Sequence, residues 1–563
     1  MNALIVFAPE DNVAVALADL PLGGTVPVID TDGRTLATLS ISGKQPDWFT
    51  PANAASPAIP RHHKVAVRAI AQNEPITRDR VPIGLAAAAI PAGQLVHQVF
   101  RDTGGSFARV GGNISEYPNR FAPPQHQLDT LAAAAAITTA GLNHDPVLRP
   151  AEPAAPGETV MAYARPDGVF GARNHLLVLP AVFCVNQEAA EIAAAFADEA
   201  WGDFGENRVI ALPHVTGCCQ TGVDEAASLR VLTNMAAHPN VGAVLIVMLG
   251  CSPFCVQERL AAAVRRSTAT PVRCVEIQRQ GRAAALAAGT AAVRELLATL
   301  RTAVRTPQPL ARLLLAVKCG ASDPTSGLFA NTALGLVADR ILDSGGSVVI
   351  SEIMEYFGAE NMLKARCRDQ AVWLDLLRLI KTNELIGKAA AVAAEQDIHS
   401  MELTMGNIAA GLSTQEEKSL GAVRKMGFAH PIENVVAHGR RLAGQRSGLY
   451  VMDGPGQDLL SVSGLSAAGA QVMLFSTGIG NPLGAAVTPV LKVTGNPVTA
   501  ERQADFIDRY VPFVETLRAG GSARTQAGDL LLNDLRAVLA GRPTLAELNR
   551  HRDFAVRTQA LVQ

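Results

Sequence analysis

Val241-Gly242-Ala243-Val244-Leu245-Ile246-Val247-Met248-Leu249-Gly250-Cys251 is an apolar run that stops on a glycine and a cysteine. It is too short to span a bilayer. Its β-branched centre, Ala243–Met248, reads as a strand buried on both faces, the pattern of a parallel sheet covered by helices. The same texture returns on both sides of it. Strands are predicted over His175–Leu179, Arg208–Leu212 and Val272–Ile277, then over Leu313–Val317, Ser347–Ser351, Leu449–Met452, Val472–Phe475 and Pro489–Val493. Ala- and Leu-rich stretches between them supply the covering helices.

The expected fold class is therefore multidomain α/β. A small β-rich module occupies residues 1–102, with short runs such as Asn12–Leu17, Lys64–Ile70 and Gln94–His97. Residues 103–157, rich in Gly, Pro and Asn, read as a linker with one Ala-rich helix near 131–141. Two parallel-sheet domains follow, 158–307 and 308–510, and residues 511–563 read as a helical C-terminal extension.

Composition narrows the function. The chain has 563 residues, 48% hydrophobic and 18% charged, with a net charge of −2 and 4% aromatics. Nucleic-acid backbones, acidic membranes and base-stacking platforms are poor matches for that balance. The N-terminus lacks a basic leader region and reads as a first strand. A soluble, cytoplasmic protein acting on a small molecule is expected. A homo-oligomer is plausible at this size, though no residue identifies one.

Four cysteines recur at one kind of position. Cys184, Cys218, Cys251 and Cys319 each lie just past the carboxyl end of a predicted strand, the edge at which open α/β sheets bind ligands. Buried packing is the ordinary reading of any one of them. Repeated at the strand exit, they suit iron, an iron–sulfur cluster or zinc. Cys255, Cys274 and Cys367 read as packing. His214, four residues before Cys218, sits on a strand-exit loop. The loop Gly320-Ala321-Ser322-Asp323-Pro324-Thr325-Ser326-Gly327 could present backbone N–H groups to an anion. The glycines of Phe475–Gly484 fail the dinucleotide pattern, because Pro482 intrudes and a strand follows.

These motifs resemble the altronate dehydratase/galactarate dehydratase family of sugar-acid dehydratases. Asp11–Ala16, His63-Lys64-Val65-Ala66 and Pro82-Ile83-Gly84 are similar to its N-terminal SAF (β-clip) domain. Arg165–Gly168, Gly171–Asn174, Cys184-Val185-Asn186, Gly217-Cys218, Leu249-Gly250-Cys251, Cys319–Asp323, Ser413–Gly421 and Asp453–Gly456 match the main body in order.

The resemblance implies iron-dependent loss of water from a 2,3-dihydroxy acid, giving a 2-keto-3-deoxy acid. The proton α to a carboxylate is weakly acidic, so a metal must stabilise the enediolate while a base removes it. On that basis Cys184, Cys218, Cys251 and Cys319 are candidate ligands for iron, as Fe2+ or a cluster. His214, His63, Asp323 and Lys418 are candidate catalytic groups. Asn12, Arg173, Asn174, Ser322, Asn407 and Lys492 are candidate substrate contacts.

The chain departs from the family pattern at four places. Ala8 replaces a His, and Val99-Phe100 replaces a His-Asn pair. Ile408 stands where the family has Lys, and Ile479 where it has Arg. A charge-assisted bond is worth about 1.5–3 kcal/mol, so a less basic pocket and a different 2-hydroxy acid are expected. Sulfolactate sulfo-lyases look similar and offer an alternative, sulfite elimination. A sugar-acid-binding paralogue without turnover is a second alternative.

Overall fold

The computed structural model describes residues 2–49, 58–102, 107–115, 157–218, 220, 222–251, 256–393, 403–518 and 523–557. The N-terminal module is built on a six-stranded sheet in the order Leu95–Val96, Lys64–Ala66, Val13–Ala16, Leu4–Ile5, Thr25–Ile29, Thr35–Ser40. Leu4–Ile5 pairs parallel with Thr25–Ile29 and the remaining contacts are antiparallel. Strand Phe107–Gly112 pairs with Gln98–Asp102, and Ile114–Ser115 pairs with Val81–Ala86. Pairing therefore carries the module past residue 102, into the segment expected to be linker. The Ala-rich helix expected near 131–141 lies outside the described residues.

The next sheet has four parallel strands in the order Val209–Ala211, His175–Pro180, Val241–Met248, Val272–Glu276. Val241–Met248 is buried at every position, as its uninterrupted apolar sequence requires. Helix Val256–Ser267 shows why the intervening stretches are helical. It buries Gln257, Leu260, Ala261 and Val264, one stripe at 3.6-residue spacing, and ends in Arg265 and Arg266, which suit a helix C-terminus. Helix Arg282–Leu300 has the length and hydropathy to cross a membrane. It lies instead along this sheet, burying Val293, Leu296 and Leu297 with Leu245 and Ile192. Strands Thr159–Ala164 and Thr306–Pro309 pair antiparallel at the two ends of this domain.

The third sheet has seven parallel strands. Their order is Ile432–Val436, Gly448–Met452, Ser347–Ile350, Leu314–Cys319, Val472–Ser476, Val490–Thr494, Arg509–Tyr510. Register sets Lys318 beside Phe475 and Phe475 beside Lys492, so the two lysines flank one ring on one face of the sheet. The C-terminal helices clasp the domains together. Arg173, fully buried, makes a two-pronged pair with Glu547 at 2.7 and 2.8 Å, and Val556 joins the core of the four-stranded domain.

Candidate active site between the N-terminal module and the C-terminal domain

The junction is organised by one carboxylate. Glu417, in helix Gln415–Val423, receives Lys64 Nζ at 2.7 Å and Arg78 at 2.5 Å, all three side chains being buried. Ser413 N–H donates to the same carboxylate at 2.8 Å, and Lys64 also donates to the Gly411 carbonyl at 3.0 Å. Burial works against the charge on Glu417, but Lys64 and Arg78 outweigh it and hold its carboxyl below the usual range. The helix is started by Thr414, whose side chain accepts from Glu417 N–H and donates to the Ile83 carbonyl.

Three histidines of the module converge on this contact. His63 and His97 meet edge to face, with ring centroids 4.9 Å apart. His97 Nδ1 lies 2.9 Å from Ser413 Oγ, and its ring also bonds the backbone of Ile408, so it ties the 403–412 loop to the module. His63 Nδ1 lies 3.2 Å from the Arg61 carbonyl. That contact places the hydrogen on Nδ1 and leaves the Nε2 lone pair free to accept a proton. Burial lowers both His62 and His63 to about 4, so both are neutral at pH 7. Gly411 permits the approach. It has φ +113°, and a Cβ there would stand 3.2 Å from Pro324 and 3.3 Å from His63 Nδ1.

The loop after strand Leu314–Cys319 forms the facing wall. Ala321 is held at φ +51°, Glu352 at +73° and His62 at +68°, a left-handed conformation that costs a non-glycine residue energy and concentrates at functional sites. The Ala321 carbonyl accepts from Gly478 and Ile479 N–H at 3.1 and 3.0 Å. Asn407 caps its own short helix with Thr404 and donates to the Ser322 carbonyl at 2.7 Å. A narrow cleft remains, lined by Arg78, Ser322, Asp323, Leu412, Glu417 and Lys418 among others.

Beneath it lies a buried charge cluster. Lys425 Nζ sits 3.0 Å from Cys319 Sγ, 2.7 Å from Glu352 and 3.3 Å from Glu355. Lys318 pairs with Glu352 and, at 2.6 Å, with Asp458. Lys418 reaches Glu355 at 3.6 Å. Burial opposes charge on Lys425, yet Cys319, Glu352 and Glu355 together hold it well above an ordinary lysine. Burial, then Glu355, pushes the Cys319 thiol up to about 12. The ligand atoms of Cys319, Glu352 and Glu355 all lie within 4.8 Å of one another, and the cation among them is the Lys425 ammonium.

Of the residues singled out from sequence, the fold brings His63, Ser322, Asp323, Asn407 and Lys418 to this junction. Asp323 spends its carboxylate internally, accepting from Thr325 Oγ1 at 2.6 Å, Ser326 N–H at 2.9 Å and Asn496 at 2.9 Å. Asn12 pins a strand of the module through the Pro75 carbonyl and Thr77 N–H, each at 2.8 Å. Arg173 and Asn174 sit away from the junction, Asn174 bonding Arg165 and the Leu300 carbonyl. His214 is buried with both nitrogens engaged, Nε2 at 2.8 Å from the Pro180 carbonyl and Nδ1 at 2.8 Å from Thr216 Oγ1. Lys492 is buried with Nζ 3.4 Å from the Phe475 ring centre and no hydrogen-bond partner among the described residues, and burial lowers it well below an ordinary lysine.

The four cysteines belong to two sheets. Cys184, Cys218 and Cys251 are exposed at the edge of the four-stranded sheet, whereas Cys319 is buried in the seven-stranded one. Sequence reasoning missed Arg78, His97, Glu352, Glu355 and Lys425 as members of the site, and Glu417 as its organiser. One usable signal was Lys64 and Lys318 inside apolar strands, since a lysine there must be paired.

Comparison with known proteins agrees with this architecture. Residues 2–100 match the family described as "Altronate/galactarate dehydratase SAF domain", residues 162–301 "D-galactarate dehydratase/Altronate hydrolase, second domain", and residues 310–562 "D-galactarate/Altronate dehydratase, C-terminal". The chain belongs to the altronate/galactarate dehydratase family. It is 32% identical to an altronate dehydratase of Escherichia coli (strain K12), covering 97% of each chain. It is 30% identical to one of Bacillus subtilis (strain 168), covering 90% of each. It is also 32% identical to the (2R)-sulfolactate sulfo-lyase subunit beta of Chromohalobacter salexigens, over 71% of this chain and 97% of that one.

Proposed function

We propose that the chain is an iron-dependent dehydratase of a sugar acid or related 2-hydroxy carboxylate, releasing a 2-keto-3-deoxy acid. The observation that carries this reading is the junction itself: the buried imidazole of His63 meets Pro324 across Gly411, and Pro324 lines a narrow cleft together with Lys418 and Arg78. Near-full-length similarity to altronate dehydratases supports it. Lys418 holds the substrate carboxylate. The Nε2 lone pair of His63 takes the C2 proton, and the imidazolium so formed gives a proton to the C3 hydroxyl, which leaves as water. The resulting enol gains a solvent proton at C3, releases its hydroxyl proton and becomes the keto acid. A bound anion beside His63 raises its pKa from the value burial alone gives, which strengthens it as a base.

Iron, when bound, supplies Lewis acidity to the departing hydroxyl or the carboxylate. Cys319, Glu352 and Glu355 would hold it only if Lys425, 3.0 Å from the Cys319 sulfur, moved aside. The exposed thiols of Cys184, Cys218 and Cys251 do fit.

By the family resemblance, Ile408 and Ile479 stand where cations are expected, close to the cleft though not among the residues that line it. Ile408 packs with Leu403 and Leu412, and the Ile479 side chain reaches within 3.4 Å of where a Gly406 Cβ would stand. That favours a less polar acid than a hexonate or hexarate. A panel of 2,3-dihydroxy acids, incubated with iron-replete chain without oxygen, tests the reading through keto-acid formation. The sulfo-lyase relative gives the rival reading a specific basis, and sulfite release measured alongside would favour it.

A further inference from the structure

We infer that Cys184, Cys218 and Cys251 bind one four-iron, four-sulfide cluster at the carboxyl edge of the four-stranded sheet, leaving one iron without a protein thiolate. These three cysteines follow three neighbouring strands, Val209–Ala211, His175–Pro180 and Val241–Met248 in spatial order, spaced at about 4.8 Å. The loops carrying Cys184 and Cys218 are joined by Phe183 N–H to the Thr216 carbonyl at 2.9 Å, and Ala181 N–H bonds the Val247 carbonyl at 2.8 Å. All three thiols are exposed, whereas structural cysteines are among the most buried residues.

The sulfurs are not all within 4.8 Å of one another, which is too open for one tetrahedral ion. A cubane places each thiolate on a different iron and spans a wider triangle. Charge is provided for as well. Helices Asn186–Ala194, Gly222–Ala236 and Val256–Ser267 each begin just after one of these cysteines. Three positive helix ends therefore meet an anionic cluster. Gln257 Nε2 lies 3.3 Å from Cys251 Sγ, a donor to a ligand sulfur. Phe183 and Val215, large apolar side chains exposed at the same edge, supply an apolar surround.

The four-stranded domain also packs directly on the seven-stranded one. The end of helix Gly222–Ala236 packs against the end of helix Asp458–Ala467. Arg230 bonds the His438 carbonyl, and Val231 and Ala467 both lie beside Gly439. The cluster's role as Lewis acid rests on the dehydratase reading; its presence does not.

The test is anaerobic reconstitution of the full chain with ferrous iron and sulfide, followed by iron and sulfide analysis, visible absorption and electron paramagnetic resonance. About four irons and four sulfides per chain are expected, with a three-iron signal after mild oxidation as the open iron is lost. C184S, C218S and C251S should each lose the cluster, while C319S and C274S retain it. Iron without sulfide, or an intact cluster in any of the first three variants, would overturn the inference. If C319S does not fold, C274S still serves as the control. A cluster without dehydration would overturn the proposed function alone, and dehydration by sulfide-free iron protein would overturn the cluster alone.

Discussion

Glu417 accepts Lys64 at 2.7 Å across the boundary between the N-terminal module and the C-terminal domain, with neither side chain exposed. A buried ion pair contributes little to stability over an apolar substitute, but losing one partner strands the other charge. Its effect is registry: it fixes where His63 sits relative to Lys418. Glu417→Gln leaves Lys64 and Arg78 buried without a counter-charge. It should cost about 3–5 kcal/mol of stability, read as a lowered denaturation midpoint, and should depress turnover.

Lys425→Met tests the charge cluster below the cleft. Lys318 remains to pair Glu352, but Glu355 keeps Lys418 at 3.6 Å and the Cys319 thiol at 3.1 Å. A loss of about 3–5 kcal/mol is expected. Chemical denaturation gives the value, and an unchanged midpoint would mean the cluster is slack.

Acid should destabilise the protein earlier than its carboxylates alone would require. His62, His63 and His438 are lowered by burial from 6.5 to about 4, and His238 to about 3. Between those values and 6.5 the unfolded chain binds more protons than the folded one. Stability therefore falls as pH drops through that window and is regained as pH rises. Urea midpoints measured from pH 7 to pH 4 follow it, and His438→Gln should flatten the slope.

Much of the α/β architecture was legible because strands buried on both faces must be written as apolar runs. Leu314–Cys319 begins one residue and ends two residues later than expected, and Val472–Ser476 ends one residue later. Strand Ile432–Val436 escaped notice because Glu433 and Asn434 interrupt its apolar run. Thr306–Pro309 escaped because prolines at 307 and 309 argue against a ladder strand, and it pairs at the end of a small sheet. The site was less legible. Strand-exit cysteines look alike in any parallel sheet, so Cys319 could not be separated from the other three. Arg173 reads as a substrate contact until its partner, Glu547, is seen to lie 374 residues away.

Returning the missing cations should move substrate preference. Ile479 is 37% exposed, so Ile479→Arg needs little rearrangement. One charge-assisted bond of about 1.5–3 kcal/mol corresponds to roughly 10- to 150-fold in kcat/KM for a hexonate or hexarate. Ile408→Lys puts the same charge into a packed apolar cluster and should cost stability as well. Substrate competition with both single variants measures the shift.

The most direct measurement is dehydration in D2O, followed by NMR of the product, with the wild-type chain and His63→Ala side by side. The proposed chemistry requires a keto acid carrying one deuterium at C3. It also requires a rate loss of about 10²–10⁴-fold in the variant, with binding of an unreactive acid retained. Deuterated product formed at an undiminished rate by His63→Ala would contradict the site, and binding without any product from the wild-type chain would contradict the function.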